Sequence, residues 1–174
     1  RMKIFITGSS GFIGFHLSKK LLDKGHIVHG FDSMNNYYNV KLKKARCTIL
    51  KKYKRFSFTK SKLENKKILS KTILKFKPKV IIHLAAQAGV RYSIEKPRVY
   101  LDSTGTHNII ELAKKINVKH LLIASSSSIY GANKKIPFKE IDKTETQLSI
   151  YAATKKSTES IAHSYSNVWK IPTT

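Results

Sequence analysis

Residues 3–14 read KIFITGSSGFIG and decide the fold, because an apolar run leads directly into three glycines spaced by three residues. The near-continuous apolar run at residues 4–6 is typical of a strand buried on both faces of a parallel sheet. Apolar residues then recur at helical spacing from Phe12 to Leu22, and Gly25 stands where a left-handed residue would end that helix. This stretch therefore predicts a strand, a glycine loop and a helix.

The glycine loop is suited to binding phosphate. Gly8 permits a tight turn, Gly11 lets the backbone approach a pyrophosphate, and Gly14 lets helix and strand pack closely. The first N–H groups of the following helix, at Phe12 and Ile13, would face the phosphates together with the positive end of the helix dipole. Because a glycine triplet also occurs in ordinary strand-to-helix turns, the loop alone leaves both interpretations open.

An acid at the end of the second predicted strand favours cofactor binding. The strand at residues 26–31 ends in Asp32, about 20 residues beyond the glycine loop, where dinucleotide folds place the carboxylate that binds the adenosine ribose hydroxyls. A carboxylate repels a ribose phosphate, so NAD is favoured over NADP. Asp32 and Ser33 could instead cap the next helix, but the order of strand, glycines and acid favours the cofactor.

The rest of the chain alternates helical and strand patterns. Helices are predicted at residues 37–53 and 63–76, after Pro97, and from near Tyr151, and strands at residues 55–59, 80–86 and 120–124. This alternation predicts one α/β domain over residues 1–174, a doubly wound parallel sheet of Rossmann type. The small-residue end of the strand at 80–86 would let a cofactor lie against Leu84, Ala85 and Ala86. Within that strand, His83 is predicted to be a core histidine rather than a ligand.

Composition bounds the class of protein. A chain of 174 residues with 41% hydrophobic content can bury one core. No apolar run approaches the ~18–20 residues of a membrane span, so we expect a cytoplasmic protein that does not bind a membrane. Cys47 is the only cysteine, which excludes an internal disulfide or a zinc knuckle, and no metal site is predicted.

The net charge of +24 raises the possibility of a nucleic-acid partner. Basic residues are densest at 41–67, where Tyr53, Phe56 and Phe58 are interleaved with them. Lysines nevertheless recur along nearly every predicted helix, so a solvated surface is favoured and nucleic-acid binding is not expected. If it occurred, its affinity would fall steeply with salt.

Tyr151 and Lys155 lie four residues apart, so they share one face of the last predicted helix. A cationic ammonium beside a phenol stabilises the deprotonated phenol, and the pair could then exchange a proton with a substrate hydroxyl. A serine from the run that follows the strand at 120–124 could bind the same oxygen. Such a pair alone is common on surface helices, but together with the dinucleotide half-site it predicts a hydride-transfer site.

These motifs resemble the NAD-dependent UDP-glucuronate 4-epimerases of the extended short-chain dehydrogenase/reductase superfamily. The resemblance covers essentially the whole chain and rests on five segments, TGSSGFIGFHL, DSMNNYY, HLAAQAGVRYS, ASSSSIYGAN and YAATKK. It implies that Tyr151 deprotonates the sugar 4-hydroxyl while NAD⁺ accepts the C4 hydride, that Lys155 holds the nicotinamide ribose, and that Ser126 hydrogen-bonds the 4-oxygen. The ketose intermediate would rotate and regain hydride on its other face, which would convert UDP-glucuronate to UDP-galacturonate, a precursor for surface polysaccharide.

The serine run separates this chain from related enzymes. Nucleotide-sugar 4,6-dehydratases carry Thr-Asp-Glu where this chain has Ser126, Ser127 and Ser128, and elimination needs that acid. The resemblance therefore favours an epimerase and implies that Ser127 and Ser128 contact the UDP-sugar. Arg91 is a further candidate for an anionic substrate, although it could be an ordinary surface arginine. A full-length homodimer is also implied.

Three departures from the family pattern sustain alternatives. Family members carry a carboxyl-terminal domain that grips the nucleotide-sugar, so we expect this chain to be a fragment without that substrate domain and without activity of its own. Lys62 stands in place of an acid that meets the adenine amino group, although Glu64 is nearby. The segment 102–108 is about two residues short, which predicts a helix break near residues 103–105, capped by a serine or threonine. The alternatives are a non-catalytic NAD-binding module and another epimerase such as UDP-glucose 4-epimerase.

Overall fold

The computed structural model describes residues 1–101 and 103–174, the side chain of Leu101 excepted. Strands and helices alternate along these residues, and a 3₁₀ turn at Ser127–Tyr130 precedes the last helix. The elements in chain order are β1 (Lys3–Thr7), α1 (Phe12–Asp23), β2 (Ile27–Asp32), α2 (Val40–Lys51), β3 (Phe56–Lys60), α3 (Lys66–Phe76), β4 (Val80–His83), α4 (Val90–Glu95), α5 (Arg98–Leu101), α6 (Thr104–Lys115), β5 (His120–Ile123) and α7 (Ile150–Trp169).

The five strands form one parallel sheet in the order β3-β2-β1-β4-β5. The first three strands proceed in one direction across the sheet, and β4 then returns to the other side of β1. The chain therefore reverses direction at β1, and the crevice beyond the carboxyl ends of β1 and β4 is the topological switch point where open α/β sheets bind ligands. The predicted doubly wound Rossmann sheet is confirmed.

Both faces of the sheet are covered, as the continuous apolar strands predict. In β1, Ile4 and Ile6 pack with Leu22, Val28 and Leu50 on one face. Phe5 points to the opposite face, where the larger part of the core packs against α3, α6 and α7. Cys47 is a buried free cysteine on α2.

Local caps make two helices shorter than the patterns at residues 37–53 and 63–76 predict. The Asn39 side chain accepts a hydrogen bond from the Lys41 N–H at 2.9 Å, so α2 begins only at Val40. Asn65 likewise accepts from the Ile68 N–H at 3.1 Å, and α3 begins at Lys66. The apolar run at 80–86 is a strand only as far as His83, after which the backbone turns toward the glycine loop.

The predicted break after Pro97 is confirmed. Helix α5 ends at Leu101 and α6 begins at Thr104, with Ser103 in neither helix, while Asp102 lies outside the described residues. Ser103 occupies the cap position without a side-chain cap hydrogen bond, so the expected serine cap is wrong in that detail. At Gly105 an added Cβ would lie 2.7 Å from Leu63 Cβ, so glycine permits the close approach of α6 to the loop after β3.

A buried histidine joins β2 to β3. The His29 ring stacks on Phe5 at 5.4 Å between centroids, and its nitrogens lie 2.7 Å from Ser57 Oγ and 3.0 Å from Thr59 Oγ1. Burial lowers the pKa of His29 to about 4. Protonation of this ring is therefore coupled to the stability of the fold.

We expect stability to fall as the pH is lowered through the titration of His29. The pKa of His29 is about 4 in the folded chain and about 6.5 for a solvated histidine, so the unfolded chain binds more protons between those values. The contribution of the neutral His29 ring to stability is fully present above about pH 6.5, and its loss is complete below about pH 4. The total loss is on the order of 3 kcal/mol. Urea unfolding from pH 7 to pH 4.5 measures it.

The variant His29→Gln should show a smaller loss of stability over the same pH range, because an amide bonds both hydroxyls without titrating. The matched control is His163→Gln on the exposed surface of α7, which should retain the wild-type pH dependence. An unchanged pH dependence in His29→Gln would contradict the assignment to His29.

Candidate active site

The glycine loop has the tight geometry that the sequence predicts. Gly8 has a positive φ of 70°, and its N–H donates to the Phe31 carbonyl at 2.8 Å. An added Cβ at Gly14 would overlap the Gly8 carbonyl oxygen and lie 2.9 Å from Ser9 Cα. The loop therefore packs α1 directly against the end of β1, and only glycine fits at position 14.

The space above this loop is open to a ligand. Phe12 and Ile13 form the first turn of α1, whose N–H groups have no acceptor within the helix. The side chains of both residues are mostly exposed, at 67% and 64%. Gly11 precedes them, and an added Cβ there would lie 3.1 Å from the Gly8 carbonyl oxygen. This turn thus presents backbone N–H donors beside glycines, whose lack of side chains lets a ligand approach the backbone closely.

Asp32 ends β2 beside the glycine loop and is mostly buried. Its Oδ2 accepts from the Ser10 N–H at 3.0 Å and its Oδ1 accepts from the Met34 N–H at 2.8 Å. The carboxylate therefore fixes the second strand end relative to the loop. Asp32 does not cap α2, whose cap is Asn39, so the helix-capping alternative is wrong.

One lysine of the basic stretch at 41–67 is buried, which corrects the expectation that this stretch is wholly solvated. Lys43 Nζ donates to the Asn35 carbonyl at 3.0 Å and lies 4.3 Å from the centroid of the Tyr38 ring. Burial lowers the pKa of Lys43, and the nearby Asp32 carboxylate opposes that shift. The spacing of Lys43 from Asp32 carried no sequence signal, because only the folded loop brings the two groups together.

The residues that depart from the family pattern near the adenine position lie at the surface. Lys62 and Glu64 are exposed on either side of the half-buried Leu63. The Leu63 carbonyl accepts a hydrogen bond from Asn108 Nδ2 at 3.0 Å, which holds this loop against α6.

The α7 pair lies near the end of β5. Helix α7 begins at Ile150, after Ser149 accepts from the Ala152 N–H at 3.1 Å. Lys155 Nζ donates to the Ala124 carbonyl at 2.7 Å, and burial lowers the pKa of Lys155. Tyr151 is half-buried, one helical turn earlier on the same helix.

Tyr100 on α5 packs against Tyr151, a contact that the sequence patterns did not predict. The two rings meet edge to face with 6.1 Å between centroids. The Tyr100 hydroxyl donates to the Ala88 carbonyl at 2.6 Å, so the supporting ring is itself anchored to the loop after β4. This contact limits the orientations open to the Tyr151 ring.

The serine run forms the 3₁₀ turn after β5. Ser126 Oγ accepts from the Ser128 N–H at 3.2 Å, a bond that does not use the Ser126 hydroxyl hydrogen. Ser127 is exposed and Ser128 is half-buried. Ser126 can therefore still donate a hydrogen bond to a ligand oxygen.

A small cavity of about 80 Å³ connects the end of β4 with α7. The lining includes three of the predicted site residues, Ala85, Ala86 and Lys155, together with His83 and Thr106, which the sequence did not single out as site residues. Arg91 lies apart on α4, with its side chain 95% exposed and 3.4 Å from Glu95. The cavity thus brings Ala85, Ala86 and Lys155 together, whereas Arg91 lies at the surface.

The described residues show neither a metal site nor a membrane span. No group of three histidine, cysteine or acidic side chains in residues 1–101 and 103–174 is arranged to hold a metal ion. In the same part of the chain, no helix has the length and apolar character needed to cross a membrane.

The fold and the site together define a Rossmann-type domain of the short-chain dehydrogenase/reductase class, with a glycine loop, an acid at the end of β2 and a tyrosine–lysine pair on α7. A family model described as GDP-mannose 4,6 dehydratase matches residues 5–174. The chain belongs to this family.

Relatives within the family give the finer comparison. The chain is 53% identical, over 99% of its length, to a probable UDP-glucuronate 4-epimerase of Rhizobium meliloti (strain 1021), of which it covers 51%. A UDP-glucuronic acid 4-epimerase from Bacillus cereus, solved with UDP-glucuronic acid and NAD, matches 99% of this chain and 55% of its own at 34% identity and a TM-score of 0.88.

A UDP-glucose 4-epimerase from Thermotoga maritima, solved with UDP-glucose, matches 99% of this chain and 53% of its own at 26% identity and a TM-score of 0.85. The chain thus spans about half the length of the curated relatives and solved structures it matches.

Proposed function

We propose that residues 1–174 form the NAD-binding domain of a nucleotide-sugar 4-epimerase that interconverts UDP-glucuronate and UDP-galacturonate through a 4-keto intermediate. The observation that carries this proposal is the convergence of the glycine loop, Asp32 and Lys155 at one edge of the sheet. The Rhizobium and Bacillus relatives support the choice of UDP-glucuronate.

The residues present fit a dinucleotide. A Cβ at Gly8 would lie 2.9 Å from the Ala85 nitrogen, and one at Gly14 would fill the loop, so glycines maintain the cradle into which a pyrophosphate fits. Asp32 would accept hydrogen bonds from the adenosine ribose. When bound, NAD⁺ supplies an acceptor for the C4 hydride and later returns it.

Three side chains would carry the proton chemistry. Tyr151 would take the proton of the sugar 4-hydroxyl, and the Lys155 ammonium would stabilise the resulting phenolate while it holds the nicotinamide ribose. Ser126 would donate its hydroxyl hydrogen to the 4-oxygen, since its oxygen is already oriented by the Ser128 N–H. The backbone of Leu84 and the alanines that follow it would form the cleft wall.

The family model is described as a dehydratase, but the serine run of this chain favours epimerisation over dehydration. Elimination requires an acid–base residue that Ser127 and Ser128 cannot supply, whereas epimerisation needs only the Tyr151 proton transfer and hydride return. We propose that Ser127 and Ser128 contact the UDP-sugar, and Arg91 its anionic groups. We further propose a homodimer for the longer protein, a cytoplasmic location and no nucleic-acid partner.

Two alternatives rest on specific observations. The Thermotoga structure contains UDP-glucose in a similar fold, which supports UDP-glucose 4-epimerisation as a second candidate reaction. Lys62 replaces an adenine-binding acid and supports a degenerate module without catalysis. Turnover assays of the longer protein distinguish these alternatives. Turnover of UDP-glucose but not of UDP-glucuronate would favour the first alternative, and the absence of both activities would favour the degenerate module.

The cofactor half of the proposal predicts saturable NAD⁺ binding by this chain, with NADP⁺ bound much more weakly, in a calorimetric titration. Asp32→Asn should weaken NAD⁺ about tenfold and narrow the preference over NADP⁺, because it removes the charge that repels a ribose phosphate. The matched control is Asp23→Asn on the exposed end of α1, which should leave both affinities unchanged. Failure of the wild-type chain to bind either dinucleotide would contradict the proposal.

We expect the 174-residue chain alone to have little or no epimerase activity. The relatives it matches are about twice as long, and the resemblance to the 4-epimerases implies that their additional domain grips the nucleotide-sugar. Chromatographic analysis of UDP-glucuronate incubated with the chain and NAD⁺ measures this. Robust formation of UDP-galacturonate would show that residues 1–174 suffice.

A further inference from the structure

His83 ends β4 beside the candidate active site, yet no step of the proposed function uses it. The residue is buried, and each of its ring nitrogens has a hydroxyl partner. Nδ1 lies 2.7 Å from Thr7 Oγ1 at the end of β1, and Nε2 lies 3.0 Å from Thr106 Oγ1 on α6. One ring thus joins three elements at the edge where the cofactor would bind, and the prediction of a satisfied core histidine is confirmed.

The Thr7 hydroxyl determines where the His83 proton lies. Thr7 Oγ1 accepts hydrogen bonds from the backbone N–H groups of Leu84 and Ala85, both at 3.1 Å. A hydroxyl oxygen has two acceptor positions and one hydrogen. Because both acceptor positions are used, the hydroxyl hydrogen is directed to His83 Nδ1, which therefore carries no proton. The neutral ring then holds its proton on Nε2, and this N–H donates a hydrogen bond to the Thr106 hydroxyl oxygen.

The other protonation states do not fit these contacts. Both the other neutral tautomer and the imidazolium carry a hydrogen on Nδ1. That N–H would face Thr7 Oγ1, whose two acceptor positions are already used by the Leu84 and Ala85 amides. Burial lowers the pKa of His83 to about 3, and the nearby Lys155 ammonium adds to that shift. Lys155 is the charged group that acts on the ring among the described residues. The ring is therefore neutral, in one tautomer, throughout the physiological range.

This arrangement aligns two parts of the cleft. On one side, the Leu84 and Ala85 amides are held by Thr7 next to Gly8, where an added Cβ would lie 2.9 Å from the Ala85 nitrogen. On the other side, the His83 carbonyl accepts from the Ala124 N–H at 3.0 Å. The Ala124 carbonyl in turn accepts from Lys155 at 2.7 Å.

We propose that His83 is a positioning residue. The Thr7 hydroxyl selects its Nε2–H tautomer, and this tautomer holds the Leu84 and Ala85 backbone against the glycine loop, in line with Lys155. Its effect on NAD⁺ binding rests on the proposed function. The tautomer and the two backbone hydrogen bonds are properties of the chain without cofactor, so they can be tested separately.

The first test is ¹⁵N NMR of the histidine rings in the wild-type chain without cofactor, with long-range ¹H–¹⁵N correlation. We expect His83 to show an unprotonated Nδ1 and a protonated Nε2, unchanged from about pH 5 to pH 8. A protonated Nδ1, a mixture of tautomers or a titration within that range would overturn the proposal. This measurement requires no variant.

The second test compares Thr7→Val with the conservative Thr7→Ser. Thr7→Ser retains a hydroxyl and should keep the His83 tautomer and slow hydrogen exchange at the Leu84 and Ala85 amides. Thr7→Val should give a mixture of tautomers, faster exchange at both amides and NAD⁺ affinity about tenfold weaker. Equal exchange and equal tautomers in the two variants would overturn the proposal.

The two proposals fail in different ways. If the wild-type chain binds no NAD⁺, the proposed function fails, while the tautomer and the exchange rates still decide the role of His83. If NAD⁺ binds but Thr7→Val keeps full affinity, the positioning role fails and the cofactor site stands.

Discussion

Replacement of Gly14 by alanine should abolish NAD⁺ binding and lower the free energy of unfolding by about 3 kcal/mol or more. The added Cβ would overlap the Gly8 carbonyl oxygen and lie 2.8 Å from the Gly8 carbonyl carbon. Both are backbone atoms of a turn that β1 and β4 hold in place, so no side chain can move aside. Relief of the clash requires α1 to move away from the sheet, which opens the phosphate cradle.

The matched control for Gly14→Ala is Ser18→Ala, one turn later on α1. Ser18 is fully buried, and its Oγ has no hydrogen-bond partner among the described residues. Its removal should change stability by no more than about 1 kcal/mol and leave NAD⁺ affinity unchanged. Urea unfolding and calorimetric titration of both variants provide the comparison. Wild-type affinity in Gly14→Ala would show that the loop does not bind the dinucleotide.

Tyr151→Phe should lower kcat of the proposed full-length epimerase by at least about 100-fold while NAD⁺ affinity changes by less than about twofold. The substitution removes the proposed proton acceptor for the sugar 4-hydroxyl. It keeps the ring, whose edge-to-face contact with Tyr100 at 6.1 Å does not involve the Tyr151 hydroxyl. The substitution should therefore lower kcat and leave the fold unchanged.

The matched control is Tyr165→Phe, which removes the same hydroxyl from the same helix at a distant position. The Tyr165 hydroxyl donates to Glu111 at 2.7 Å, so its loss should lower stability by about 1 kcal/mol without affecting kcat. Steady-state turnover of UDP-glucuronate by both variants measures the difference. Retention of wild-type kcat in Tyr151→Phe would assign the proton transfer to another residue and overturn the proposed mechanism.

Sequence patterns were sufficient to predict the elements that depend on residues close together in the chain. The alternation of apolar runs predicted the sheet, because a strand buried on both faces cannot carry polar residues without a partner. Gly25 predicted the end of α1, and it has a positive φ of 80° there. Patterns were less successful at helix starts, where Asn39 and Asn65 capped the backbone later than the apolar periodicity implied.

By itself, the sequence determined the parallel α/β fold, the glycine cradle, the acid at the end of β2 and the helical spacing of Tyr151 and Lys155, since each depends on residues close together in the chain. Only the tertiary structure decided which groups contact one another across the sheet. The burial of Lys43 near Asp32 depends on the folded loop between β2 and α2, and the tautomer of His83 depends on partners from β1 and α6. Hydrogen-bond direction is set by all partners at once, and residues 7, 83 and 106 become neighbours only when β1, β4 and α6 meet at one edge.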